Sequence, residues 1–276
     1  MASLVRLALA RKPGIGPDET VPRLERSSSL HPLRGLKAYA SVCGLPNPPA
    51  GTPVPLLWPA VLAAPLHLEL FADPLFPLKA MGMVHVRNAV TWTRPVICLD
   101  QMVDMTAYVE GHRPHHRGVE IDLITELHDS ESVFWREVKT ILCPGVPTAE
   151  RPPKQEPSRF HADRSTIWSL RGDLGRRYAR VAGDRNPIHQ YAWAAKLFGF
   201  KRHLIHGMWS LARGVGEMDS EIAAAGSLEM AFVRPIYLPS RVLFESGVEG
   251  ERLRFAVRNL NNGKVFLEGA VRSPDA

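Results

Sequence analysis

YARVAGDRNPIH, residues 178–189, can be laid over YASVCGLPNPPA, residues 39–50; Tyr, Ala, Val, Gly, Asn and Pro then match at an offset of 178 − 39 = 139. A second anchor, FVRPI at 232–236 over WTRPV at 92–96, gives 232 − 92 = 140. Two separate matches at nearly one offset mark a duplicated unit, with too few copies for a solenoid and the right number for a fused pair. The Pro-rich, charged stretch PGVPTAERPPKQEP, residues 144–157, reads as a semi-rigid connector. The expected division is therefore an N-terminal unit over 1–143, a linker over 144–157 and a C-terminal unit over 158–276.

Each copy reads as a turn-rich stretch, then an apolar helix, then several strands. In the second copy a helix is expected from about His206, with Met208, Leu211, Ala212, Val215 and Met218 on one face. The strands expected after it are 228–238, 242–248, 253–260 and 265–272, with Asn262-Gly263 as a tight hairpin turn. The first copy repeats this with strands at 83–92, 118–127 and 133–142. Its helix, at 55–70, contains Pro59 and Pro65 and must be kinked or broken there. A helix followed by a mostly antiparallel sheet, twice, is an α+β architecture.

The bulk properties narrow the class. Of the 276 residues, 45% are hydrophobic and 22% charged, which excludes wholesale disorder. No apolar run approaches the roughly 20 residues that cross a bilayer. Cys43, Cys98 and Cys143 lie far apart, so neither a disulfide framework nor a cysteine zinc site is expected, and a reducing, cytoplasmic setting fits. The opening MASLVRLALARKPG carries Arg6 inside its apolar stretch and predicts no secretory signal; Arg-rich and acid-poor, it leaves an organelle transit segment as the lesser alternative. The net charge of +6 suits a phosphorylated or acidic partner without selecting one.

GDRNPIH, 183–189, sets a carboxylate, Asp184, five residues before an imidazole, His189. Asn186 can cap a short helix and Pro187 suits its first position, so both side chains can reach one cavity from a stiff bend. That helix is expected to run through Tyr191, Trp193 and Leu197 to Gly199. Two titratable groups within reach of one water are what acid–base catalysis needs. On spacing alone, though, an Asx turn beside a packed histidine is the commoner arrangement. Gly207 opens the long helix, where its amide has no intrahelical partner and could bind a developing oxyanion.

GDRNPIH followed 207 − 189 = 18 residues later by Gly207 resembles the MaoC-type dehydratases, the (R)-specific enoyl-CoA hydratase family. The resemblance covers the second copy, and the first is similar to the degenerate partner unit of two-unit members. It implies a double hot-dog fold, Asp184 and His189 as the catalytic pair, the Gly207 amide on the thioester carbonyl, and Asn186 with Pro187 shaping the loop. The implied reaction is reversible hydration of trans-2-enoyl thioesters to (3R)-hydroxyacyl thioesters, without metal, flavin or nicotinamide. Opposite Asp184 and His189 the first copy has Leu45 and Ala50, which cannot move protons, so it is expected to be silent and to help form the acyl pocket. Thioester hydrolysis and non-catalytic acyl-thioester binding stand as alternatives.

Lys196, Lys201 and Arg202, with Arg176, Arg177 and Arg180, flank this segment and are candidates for the phosphates of coenzyme A or for an acidic acyl carrier protein, a solvated basic face being the alternative. His112, His115 and His116 are placed between strands without metal-site support. His206 is expected to pack or orient the loop. The tryptophans and Met81, Met83, Met102 and Met105 are expected in the core. No nucleotide or nucleic-acid motif appears, and a monomer of two units or a homodimer is expected.

Overall fold

Ten antiparallel strands form one continuous sheet in the computed structural model, which describes residues 12–15, 20–31, 33–80, 82–96, 102–153 and 159–273. Cys98, Met81, the opening residues to 11 and linker residues 154–157 lie outside the described residues. The strands are β1 (Leu24–Leu30), β2 (Val84–Trp92), β3 (Val103–His115), β4 (Gly118–His128), β5 (Val133–Pro144), β6 (Arg164–Leu170), β7 (Ser227–Phe232), β8 (Ser240–Glu249), β9 (Arg252–Asn259) and β10 (Val265–Arg272). Their order is β1-β3-β4-β5-β2-β7-β10-β9-β8-β6. Read outward from the centre, β2-β5-β4-β3-β1 and β7-β10-β9-β8-β6 are the same arrangement twice. The seam is β2 against β7, with Asn88 opposite Met230 and Val90 opposite Leu228.

Helices cover the sheet: α1 (Leu36–Cys43), α2 (Trp58–Leu62), α3 (Ala64–Ala72), α4 (Leu174–Ala182), α5 (Ala192–Leu197), α6 (Gly207–Glu217) and α7 (Asp219–Ala223). α4 shows why these segments coil. Leu174, Tyr178, Ala179 and Ala182 recur at helical spacing and are buried, while Arg180 faces water. The expected break in the first copy is real: α2 and α3 meet at Ala63, and Pro59 and Pro65 each fall in the first turn of their own helix, where no amide donor is lost. The buried Tyr39 of α1 and Tyr178 of α4 place their rings 6.4 Å apart, so the two copies of the repeated motif face one another.

Several expectations need correction. Each copy begins with a strand, β1 or β6, rather than with turns alone, and β3 was not anticipated. His112 and His115 therefore lie within β3, with only His116 in the turn to β4. β7 stops at Phe232 instead of running to 238. The β9–β10 connection spans residues 260–264, longer than a two-residue turn, because Asn259 Oδ1 accepts from the amides of Asn261 and Asn262 and holds a wider loop. The helix after Pro187 is interrupted at Tyr191, which is extended, so a single 3₁₀ turn and α5 are separate. Met102 and Trp193 are exposed, at 55% and 66%, because both lie on outer surfaces, whereas Met105 and Trp58, Trp135, Trp168 and Trp209 are core. The first linker residues are tied down: Thr148 Oγ1 donates to Gly118 O at 2.6 Å.

Candidate active site

Asn186 caps a 3₁₀ turn, Pro187–His189, by accepting from the Ile188 amide at 3.3 Å. Asp184 Oδ1 accepts from the Asn186 amide at 3.1 Å, so the Asx hydrogen bond is present and consumes one carboxylate oxygen. The other, Oδ2, lies 3.8 Å from His206 Nε2. The turn presses directly onto α4: a Cβ at Gly175 would stand 1.9 Å from His189 O, an approach that only glycine permits. His189 Nδ1 donates to Leu204 O at 3.0 Å, which fixes the tautomer and leaves Nε2 as an acceptor.

His206, the residue preceding α6, completes the cluster. Its Nε2 donates to Asp184 O at 3.1 Å, and its ring stacks on that of His189 with centroids 3.8 Å apart. Gly207 follows as the first residue of α6, and among the described residues its amide has no hydrogen-bond partner. Its lack of a side chain has a packing cause: a Cβ would come within 2.3 Å of the Phe232 ring. The structure thus brings Asp184, His189 and His206 to one place, with the Gly207 amide next in the chain after His206. Lys196, Lys201 and Arg202 are not part of it; they are exposed around α5, beside the exposed Tyr191, Leu197 and Phe198.

The Asp184 side chain is 55% open to water although neighbouring groups crowd it. That crowding tends to raise the Asp184 pKa. His206, His189, the Asn186 amide and Lys139 together outweigh it and hold the carboxyl below its ordinary range. Burial lowers His189, against the opposing pull of Asp184 and Leu204 O. Burial, helped by His189, lowers His206 to about 3. A neutral imidazole acceptor beside an ionised carboxylate is an acid–base pair set for neutral pH. Ligand atoms of Asp184, His189 and His206 lie within 4.8 Å of one another, a spacing that a cation could share. The proton of His206 Nε2 is already committed to Asp184 O, and His189 joins the pair by ring stacking on His206.

Two contributors come from the first half and carry no motif. Lys139 on β5 adds positive charge toward Asp184, and His85 on β2, lowered to about 3 by burial and Lys139, packs its ring 4.8 Å from Phe232. Nothing in the residue pattern marked either one. The loop after α1, by contrast, holds Leu45 against Gly216 of α6, where a Cβ would be 2.2 Å from its Cδ2. The half-buried Leu45 and the exposed Ala50 bring no ionisable group.

A family model described as MaoC like domain matches residues 148–269. The 3-hydroxyacyl-thioester dehydratase X of Mycobacterium tuberculosis is 30% identical over 281 residues, covering 99% of this chain and 97% of its own. A crystal structure of HtdX of Mycobacterium tuberculosis superposes with a TM-score of 0.76 at 30% identity, covering 91% of this chain and all of that one. A MaoC-like dehydratase from Phytophthora capsici shares the fold, with a TM-score of 0.72 at 15% identity over 94% of this chain and 98% of its own.

Proposed function

The chain belongs to the MaoC-like dehydratase family, and on that premise we propose that it adds water reversibly to trans-2-enoyl thioesters, giving (3R)-hydroxyacyl thioesters in fatty acid metabolism, as a hydro-lyase. The observation that supports this best is the convergence of Asp184 and His189 beside the unpartnered Gly207 amide. The thioester oxygen is held by that amide, where negative charge builds as water attacks C3. One such donor contributes on the order of 3 kcal/mol. Asp184 and His189 Nε2 hold the attacking water and take its proton as the C3–O bond forms; the proton returns to C2, so the overall step adds H and OH across the double bond. No electrons are exchanged, so the reaction asks for no redox cofactor.

The acyl group arrives on coenzyme A or an acyl carrier protein, and the exposed cations Lys196, Lys201 and Arg202 suit the phosphate of either carrier. A cytoplasmic location fits the buried, unpaired thiols of Cys43 and Cys143, each pushed by burial to about 12. The test is a hydration assay over a series of trans-2-enoyl-CoA chain lengths with chiral analysis of the product. A (3R) product that disappears in Asp184→Asn supports the reading. Release of free thiol from a saturated acyl-CoA without any hydration overturns it in favour of a hydrolase, and binding without either reaction overturns it in favour of a carrier.

A further inference from the structure

β5 places Trp135, Glu137, Lys139 and Ile141 on its buried face, so two charges occupy core positions. Glu137 is fully buried, Asn88 on the neighbouring β2 is 1% exposed and Lys139 is 9% exposed. They are joined in a chain. Lys139 Nζ lies 3.1 Å from Glu137 Oε2, and Asn88 Nδ2 donates to Glu137 Oε1 at 2.7 Å. Asn88 Nδ2 also reaches Met208 Sδ, 3.7 Å away, on the first turn of α6. At the other end, Lys139 Nζ points to Ala60 O of α2 at 3.5 Å.

The duplication provides an internal control. With the 140-residue offset of the second anchor, Asn88 and Val90 correspond to Leu228 and Met230. Asn88 pairs with Lys139 and Val90 with Glu137; in the other half Leu228 pairs with Val271 and Met230 with Gly269. The catalytic half therefore carries Leu, Gly and Val where the silent half carries Asn, Glu and Lys. Removing a carboxylate and an ammonium from water is costly, and well-packed apolar residues would be as stable or more so. Stability alone gives no reason for the trio.

Its neighbours give one. Two lines run from β2 to the start of α6: Asn88 to Met208, and His85 to the Phe232 ring that fills the space over Gly207. We propose that Asn88, Glu137 and Lys139 are positioning residues, a buried charged brace from the silent half that fixes the first turn of α6 and hence the carbonyl-binding amide of Gly207. Their action is on the placement of that amide, so misplacing it slows the chemical step more than it weakens binding. The kinetic part of this inference rests on the hydration reading; the structural part does not.

The test is the volume-matched triple variant Asn88→Leu, Glu137→Met, Lys139→Met in the full chain. The expected result is a thermal midpoint equal to or above that of the parent, kcat lowered about tenfold to a hundredfold with KM within about twofold, and faster hydrogen exchange at the amides of Ser210, Leu211 and Ala212. Parental kcat together with parental exchange overturns the brace. A slowed kcat with unchanged exchange also overturns it, since the trio would then act through the charge of Lys139 on Asp184, or on the substrate, rather than through α6. If the parent itself shows no hydration, the functional reading fails while exchange still decides the brace. Should the triple variant not fold, Asn88→Leu alone, which cuts the link to Met208 and leaves the ion pair, is read by the same exchange measurement.

Discussion

The loop after α1 and the loop after α4 descend from one motif and meet across Tyr39 and Tyr178, yet they are put to different uses. After α4 the bend brings a carboxylate, more than half exposed, and an imidazole together. After α1 the same bend lays Leu45 on Gly216 of α6, and the end of α1 with its cap accepts further hydrogen bonds from that helix: Trp209 Nε1 to Val42 O at 2.9 Å and Arg213 Nη1 to Gly44 O at 2.6 Å. The loop without ionisable groups is thus a support for α6, the helix that begins beside His206. The difference between the halves reaches into the sheet, where the first half holds the buried charges Glu137 and Lys139 and the second half the apolar equivalents.

The contrast breaks most sharply at the working loop. Asp184→Asn and His189→Ala should each lower enoyl-thioester hydration by about a hundred- to ten-thousandfold while the cooperative fold is retained. A variant that retains parental turnover removes its residue from the mechanism. Next come two glycines of α6, each pressed against a neighbour. Gly207→Ala drives a Cβ into the packed Phe232 ring and should cost about 1–3 kcal/mol, besides displacing the amide. Gly216→Ala meets only the end of Leu45, which can rotate away, so its loss should be smaller; equal losses in chemical denaturation would contradict that difference.

Protonation sharpens the comparison further. His206 and His85 have folded-state values of about 3, below the usual 6.5, so the unfolded chain takes up protons first as pH falls. Stability is full above about 6.5 and declines toward 3. His206→Gln should flatten that decline in urea titrations at stepped pH, and an unaltered slope would assign the acid lability elsewhere. A smaller effect, about 1 kcal/mol, is expected for Trp209→Phe, which removes one hydrogen bond between the halves. The least is expected from Leu45→Asp with Ala50→His in the His189→Ala background: no recovered turnover, because the motif alone does not rebuild the surroundings of Asp184. Appearance of hydration there would show that the first half is held silent by two residues only.

Much of this was legible beforehand, for identifiable reasons. The repeat announced two copies of one arrangement, prolines located the break at Ala63, and apolar or alternating runs located β2, β4, β5, β8, β9 and β10 to within a few residues. β1 and β6 escaped because they are the outermost strands, each with one neighbour. LERSSSL and RSTIWSL keep few residues buried, so neither needs an apolar period. Asp184, His189 and Gly207 were picked out by the GDRNPIH motif and the resemblance it carries, because spacing alone favours an Asx turn beside a packed histidine. Lys139 and Glu137 did not, because a charged residue in an alternating strand reads as facing solvent, and here both face inward at a junction that only the assembled sheet creates.

The β2–β7 seam joins two parts of one chain. When two identical molecules meet across a twofold axis, every residue of the contact is present twice, so a change that improves one cavity is imposed on its twin. Tandem fusion removes that obligation. Asn, Glu and Lys could accumulate on one side while Leu, Gly and Val persisted on the other, and a single chain came to hold an asymmetry that no pair of equal subunits can encode.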